Sequence, residues 1–249
     1  MRISILKAGI EGKLTAHNEN DKSAIELVKS IIKEKETLIK NKIAKKDGCL
    51  EEISKIDPPF EKPVNWEWIH FGDLGMLKKG PFGSDLTKSM FVPKSANSIK
   101  VYEQKNAIDK DWKLGTYYIT KEYYDEKMNV YKVSPGDIIV SCAGTIGETY
   151  VVPDEAEIGI INQALMRMKI TNQINQKYFL YYFDFILKNS ANKESKGTAI
   201  KNIPPFDVLK NMLVAIPPLE EQNRIVEKLD LLNNQIGQLC HWFNFVLQA

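Results

Sequence analysis

The chain has 249 residues, 43% hydrophobic and 27% charged, the balance of a folded globular protein rather than a disordered tail, a collagen-like fibre or a disulfide-stapled miniature. Its 34 basic and 32 acidic side chains leave a net charge of +2, and no run approaches the roughly 18 consecutive apolar residues a membrane helix needs. The first residues, MRISILKAGIEGKL, lack the apolar core and cleavage site of a secretory signal, and Cys49, Cys142 and Cys240 suit neither a disulfide framework nor zinc spacing, so a cytoplasmic protein is expected.

Residues 3–14 carry Leu6, Ile10 and Leu14 at helical spacing, and Asn18 to Asp21 break the pattern. Ser23 followed by Glu26 has the form of a capping box. Ile25, Val28, Ile32 and Ile39, with Leu38 beside them, then predict an apolar helix face, with Lys and Glu opposite. A helical region is therefore expected over 1–43. Lys45-Lys46-Asp47-Gly48, Asp57-Pro58-Pro59 and Lys62-Pro63 forbid regular structure, which makes 44–62 a linker.

A second unit, 63–216, opens with Asn65-Trp66-Glu67-Trp68 and is rich in short β signals. Strands are expected at 116–120, 129–133, 138–141 and 149–153, separated by Ser134-Pro135-Gly136-Asp137 and Ala143-Gly144-Thr145-Ile146-Gly147. Such short strands suggest a mixed, strongly curved sheet. Residues 176–189 read as a buried helix of this unit. After Ile216-Pro217-Pro218 a last helix is expected over 217–249, with Glu220 and Glu221 suited to its N-terminus. Ile225, Leu229, Leu232, Ile236, Leu239, Phe243 and Val246 recur at alternating steps of four and three, an a/d seam. That stripe fits a helix packed on its own domain, but its narrowness favours helix–helix pairing, with the N-terminal helices or a second chain as partner.

Charge is unevenly spread. Residues 78–132 hold eleven basic and seven acidic side chains, whereas 1–77 hold thirteen of each. The basic segment also carries Phe82, Trp112, Tyr117, Tyr118, Tyr123 and Tyr124, a mixture that suits a polyanion surface and also an ordinary solvated face. Catalytic signatures are missing. His17, His70 and His241 form no metal-ligand spacing, and there is no P-loop or Rossmann glycine pattern. The 143–147 turn could cradle a phosphate with backbone N–H groups, although a simple hairpin turn accounts for it too. Asn202-Ile203-Pro204-Pro205-Phe206 differs from the Asn-Pro-Pro-aromatic motif of amino-methyltransferases by an intervening Ile. Glu34-Lys35-Glu36 and Asp125-Glu126-Lys127 read as solvated faces rather than nuclease carboxylates.

Five ordered segments resemble the specificity subunit of type I restriction-modification systems, specifically one half of it. They are residues 4–14, Pro63-Val64-Asn65-Trp66-Glu67-Trp68, Gly80-Pro81-Phe82-Gly83-Ser84-Asp85-Leu86, Gly136 to Ser141 with Gly144 and Gly147, and Ile216 to Gln222 running on to Ile225. The resemblance implies an α+β protein, with a mixed curved-sheet target recognition domain over 63–216 flanked by long helices that form an antiparallel coiled coil. It implies a non-catalytic DNA reader without a cofactor of its own. S-adenosylmethionine would sit on partner methyltransferase subunits that modify adenine, and a motor-nuclease subunit would cleave. With one recognition domain instead of two, the chain is expected to pair as a homodimer on double-stranded DNA and read an interrupted palindrome, with no role at a membrane. A helix of about 30 residues would set a gap of about 45 Å between half-sites. The alternatives are a helical protein-interaction module, an inactive remnant or pairing with a different half.

Expected phosphate contacts are Lys78, Lys79, Lys88, Lys100, Lys105 and Lys121, with Lys193, Lys196 and Lys201 in a second basic loop. Expected base readers are Ser84 in a glycine turn at 80–88 that includes Phe82, Thr145 in a hairpin tip at 141–147 that starts at Ser141, and Gln104, Asn106, Tyr117 and Tyr118 among the side chains of 100–121 that join them.

Overall fold

The computed structural model describes residues 1–18, 20–46, 48, 50–194 and 203–246, with side chains described for all of these but 188–194 and 241–246. The chain divides into two compact units: unit 1 comprises Met1–Leu74, Thr171–Asn189 and Asp207–Ala249, and unit 2 comprises Gly75–Ile170 and Ser190–Phe206.

Unit 1 begins with helices α1 (Arg2–Ile10) and α2 (Ala24–Lys40). The Ser23 hydroxyl accepts from Ile25 N at 3.2 Å and starts α2 where the capping signal places it. The buried stripe of α2 is Ala24, Val28, Ile31 and Lys35, whereas Ile25 and Ile32 are 49% and 39% exposed. The helix is thus rotated from the expected face. It packs against strand β1 (Glu67–His70) and the tight turn Phe71–Leu74, where the Lys35 ammonium donates to the Gly72 carbonyl. The described residues of 44–62 stay irregular apart from the turn Ile53–Lys55, yet they are pinned: Glu51 N donates to Asn211 Oδ1 at 2.9 Å, and Phe60 lies 5.0 Å from Trp68.

The expected segment 63–216 is shared between the units for a backbone reason. β1 pairs antiparallel with a strand near the other end of that segment, Leu213–Ile216. Helix 176–194 lies against that strand, with the Tyr178 and Tyr182 hydroxyls donating to the Ala215 and Leu213 carbonyls at 2.8 and 3.2 Å. Phe71, Phe179 and Phe183 complete an aromatic core with ring separations of 5.4 to 6.4 Å.

The last helix, Leu219–Val246, is 28 residues long, about 42 Å at the helical rise. Ile225 and Leu229 are fully buried, Leu232 and Ile236 are half-buried and Leu239 is 54% exposed. The side chains of Phe243 and Val246 lie outside the described residues. Helix α1 lies antiparallel on this helix, since Gly9 faces Leu229 and Gly237 faces Arg2. A Cβ on Gly9 would stand 3.0 Å from Leu229 Cδ2, so the glycine permits close approach. The start of the last helix is fastened by two buried polar side chains. The Glu221 carboxylate, with no exposed surface, accepts from Trp66 Nε1 at 3.0 Å and from Thr15 Oγ1 and Asn65 Nδ2 at 3.4 Å, and meets His17 Nδ1 at 2.8 Å. Gln222 accepts from Asn175 N and donates to the Pro217 carbonyl, both at 2.9 Å.

Unit 2 contains two four-stranded sheets. Antiparallel sheet one holds β2 (Gly75–Lys79), β6 (Ile138–Ser141), β7 (Thr149–Val151) and β9 (Leu165–Ile170), ordered β2-β9-β6-β7. Mixed sheet two holds β3 (Ser98–Tyr102), β4 (Tyr118–Thr120), β5 (Lys132–Val133) and β8 (Gly159–Ile161), ordered β4-β3-β8-β5, with β3 and β8 parallel. Tyr102, Val133, Ile139, Ile161 and Leu165 form one core cluster, and Leu86, Val101, Ile119, Met128 and Ile160 form another. Short helices α3 (Gln104–Ile108) and α4 (Lys121–Tyr123) lie in the connections. Helix α5 is Gln176–Glu194, α6 is Phe206–Asn211, strand β10 is Leu213–Ile216 and α7 is Leu219–Val246. Among the described residues no helix is long and apolar enough to cross a membrane.

Removing a buried acceptor leaves its donors dry, which costs more than the hydrogen bonds contribute. Glu221→Ala is expected to lower the stability of unit 1 by about 3 kcal/mol, and Glu221→Gln by less. Urea unfolding followed by tryptophan fluorescence checks this, with an unchanged midpoint in Glu221→Ala as the contrary result.

Candidate nucleic-acid interface

Three connections of unit 2 leave sheet one at the same end. β2 ends at Lys79, paired with Met166, β6 ends at Ser141, paired with Leu165, and both partners lie at the start of β9. The glycine turn after β2, the tip after β6 and the 162–165 turn before β9 therefore share one edge. Backbone hydrogen bonds fix them: Gly80 N donates to the Leu165 carbonyl at 3.0 Å, and Cys142 N to the Ala164 carbonyl at 2.8 Å. At Gly80 any Cβ would drive into the Asn162 carbonyl oxygen, so this position requires glycine.

Beyond Gly80 the chain makes a single turn, Gly83–Asp85, and Leu86 anchors it in the core at 2% exposure. Phe82 is 80% exposed, and Ser84 and Lys88 are also exposed. The Tyr123 hydroxyl donates to the Asp85 carbonyl at 2.8 Å and holds the loop from beneath.

Residues 142–148 form the hairpin connection between β6 and β7. Gly144 and Gly147 adopt φ of +62° and +86°, the left-handed region that glycine enters at low cost. Ser141 is buried and closes the loop, donating from Oγ to the Thr145 carbonyl and accepting from Glu148 N at 3.0 Å. Ala143, Gly144 and Thr145 are exposed at the tip. Burial pushes the Cys142 thiol up to about 11, so it stays protonated.

The register sets a cationic row beside this edge. Lys78 is paired with Arg167, and Arg167 with Ile139 on its other side. Lys169 sits two residues along on the same face of β9. The Lys78 ammonium lies 4.6 Å from the centre of the Tyr131 ring. Arg167 donates through Nη1 to the Lys132 carbonyl, and its Nε is buried without a hydrogen-bond partner among the described residues. Buried Asp137 faces these cations. Burial raises its carboxyl from its ordinary value, while Ser134 N and the charges of Arg167, Lys169 and Lys132 oppose that rise.

Several expected contacts are occupied elsewhere. Lys100 is 2% exposed, and its ammonium donates to the Leu114 carbonyl at 3.0 Å; burial lowers its pKa. Asn106 is fully buried, accepting from Glu103 N and donating to the Asp111 and Leu114 carbonyls, all at 2.8 Å. Tyr118 is 5% exposed under Lys94 and Lys100. Gln104 spends its amide on the Ala143 carbonyl. Lys105 pairs with Glu103 at 3.2 Å and Lys121 with Asp125 at 2.7 Å. Lys100, Asn106, Tyr118 and Ser141, expected as DNA contacts, are thus buried and bonded within the protein, since burying a polar group is tolerable only when it is paired. Tyr117 is 37% exposed and stacks on Phe91 at 4.3 Å. Lys79 and Thr145 are exposed where a ligand could reach them. The side chain of Lys193, together with Lys196 and Lys201, lies outside the described residues.

Sequence reading passed over Arg167, Lys169 and Gln163. Met166-Arg167-Met168-Lys169 alternates apolar and cationic residues, the period-2 signal of a strand with one charged face. Gln163 lies exposed in the turn that both loops flank, whereas neighbouring Asn162 accepts from Ala164 N at 3.0 Å. Among the described residues no cluster of His, Cys, Asp or Glu could hold a metal ion.

Residues 63–239 match the type I restriction modification DNA specificity domain. The chain is 28% identical over 247 residues to the type I restriction enzyme EcoAI specificity subunit of Escherichia coli, covering 96% of this chain and 40% of that protein. It is 24% identical over 249 residues to the EcoEI specificity subunit of the same species, covering 92% and 39%. The chain thus spans about 40% of the length of these relatives. The crystal structure of the HsdS subunit from Thermoanaerobacter tengcongensis shares the fold, with a TM-score of 0.52 at 21% identity over 86% of this chain and 47% of that one.

The scaffold role of Lys100 has a measurable sign. Its folded pKa lies below the ordinary lysine value of 10.5, so between the two the unfolded chain binds more protons and stability rises with pH. Lys100→Met is expected to remove that rise, seen as a shrinking stability difference from the parent as pH falls. A parallel pH profile in parent and variant counts against burial of the charge.

Proposed function

The chain belongs to the type I restriction modification DNA specificity family, and from that premise we propose that it is a sequence-specific DNA-recognition subunit. It performs no chemistry itself. Partner methyltransferase subunits carry S-adenosylmethionine and modify adenine, and a motor-nuclease subunit cleaves. Unit 2 is the reading module, and the observation that carries this assignment is the shared edge of sheet one. Two exposed loops and a turn with an exposed amide, Gln163, converge beside Lys78, Lys79 and Arg167. Base edges in the major groove demand small exposed loops with amide and hydroxyl groups, and phosphates demand cations alongside.

Within that surface Lys78, Lys79, Lys88 and Arg167 are the phosphate contacts, and Ser84, Thr145 and Gln163 reach for bases. Phe82, four-fifths exposed, supplies an apolar contact of the kind that meets a thymine methyl. Replacing Lys78 and Lys79 with Ala is expected to weaken binding to every duplex and to reduce the salt slope by roughly two, about one per phosphate contact. Titration of duplex binding at several salt concentrations decides; an unchanged slope places the pair away from DNA. Comparing adenine methylation in cells with and without the gene tests the function as a whole, since loss of the gene should erase one motif.

The second part of the proposal is pairing. Leu232, Ile236 and Leu239 leave apolar surface on the C-terminal half of α7, beyond the buried Ile225 and Leu229. A homodimer joined through this seam would present two copies of one reader and so read an interrupted palindrome. Replacing Leu232 and Ile236 with Asp is expected to dissociate the assembly while unit 2 keeps its fold. Sedimentation that finds the same species in parent and variant removes the seam from the interface.

A further inference from the structure

The hairpin tip is closed from inside by Ser141, which bonds the Thr145 carbonyl and Glu148 N, but its outer side lies in water. Ala143, Gly144 and Thr145 are exposed, and two glycines give the backbone wide freedom. A loop that reads base edges must nevertheless be set before DNA arrives, or binding must bear the cost of ordering it.

The element that meets this need is the segment from α3 to Lys110. Ala107 is buried in the core with Ile139 and Leu165, so the short helix is anchored on sheet one. At its start, Gln104 Nε2 donates to the Ala143 carbonyl at the tip. Past its end, the Lys110 ammonium donates to the Thr149 carbonyl at 2.6 Å, to Glu148 Oε2 at 2.8 Å and to the Ala107 carbonyl at 2.9 Å. One side chain thus holds the tip and the other the base of the same hairpin. Lys110 makes these bonds from φ +56°, in the left-handed region that a residue with a Cβ enters at a cost. Buried Asn106 ties down the loop on either side of it, through Glu103, Asp111 and Leu114.

We infer that Gln104 and Lys110 are positioning residues that preset the 142–147 hairpin tip and thereby sharpen discrimination at the base positions the tip reads. This rests on the DNA-reading function proposed above. Neither side chain touches DNA in this scheme, and Gln104 acts through Ala143 rather than as a base reader.

The test uses the full chain with Lys110→Asn, which tolerates the left-handed backbone but cannot reach Thr149, with Gln104→Leu, and with Lys110→Arg as the conservative variant. Amide exchange at Cys142 to Gly147 is expected to rise about tenfold in the first two, with β6 and β9 exchanging as in the parent. Selection from a pool of random-sequence duplexes is expected to show relaxed preference at a subset of positions, with unchanged random-duplex affinity and salt slope. Lys110→Arg is expected to keep both properties near the parent. Unchanged tip exchange, faster exchange throughout unit 2, or equal weakening on all duplexes would each overturn the inference. A parent protein with no base preference overturns the DNA-reading function instead, and the exchange rates still decide whether the brace exists.

Discussion

Backbone hydrogen bonding to β9 organises unit 2. A strand whose Leu165, Met166 and Met168 are fully buried must satisfy its N–H and C=O groups on both edges. It does so with β2 on one side and β6 on the other, both antiparallel. That arrangement forces the ends of β2 and β6 to meet the start of β9. Two loops separated by about sixty positions in sequence thereby come to one edge, and Gly80 lets the first of them press against the 162–165 turn. No side-chain contact between the loops is needed for their convergence.

Burial then sorts the polar residues of unit 2 into two groups. Lys100 and Asn106 satisfy backbone carbonyls in the connection between β3 and β4, and Ser141 closes the hairpin from inside. Each has enough partners to lie out of water, which makes them scaffold. Lys78, Lys79, Lys88 and Thr145 keep surface in water at or near the loop edge. The division follows hydrogen-bond satisfaction rather than residue type, because a lysine appears on both sides of it. Gln104 is intermediate, half-buried and bonded to the loop it supports.

Unit 1 solves a different problem, the joining of distant segments. Glu221 and Gln222 sit in the first turn of α7 and are fully buried. Their hydrogen bonds reach Thr15, His17, Asn65, Trp66 and Asn175, so three separate stretches of chain are held at one helix end. The carboxylate also lies near the positive end of the α7 dipole, which favours its charge. The Pro217-Pro218-Leu219-Glu220-Glu221-Gln222 run is therefore a structural tie as well as a helix start.

Local physics was legible in the residues themselves. The Ser23 cap, the strand at 138–141 with its partner at 149–151, the glycine turns and the long C-terminal helix all follow from propensity, periodicity and capping. The order of motifs that resembles the family could also be read from the residues, as a resemblance. The rotated face of α2, the pairing of β1 with β10, the burial of Lys100, Asn106 and Tyr118, and the place of Arg167 and Gln163 at and near the loop edge of sheet one were decided only in three dimensions. A hydrogen bond or a buried charge depends on partners brought from far along the chain, and one-dimensional spacing carries no information about which carbonyl will lie beside which ammonium.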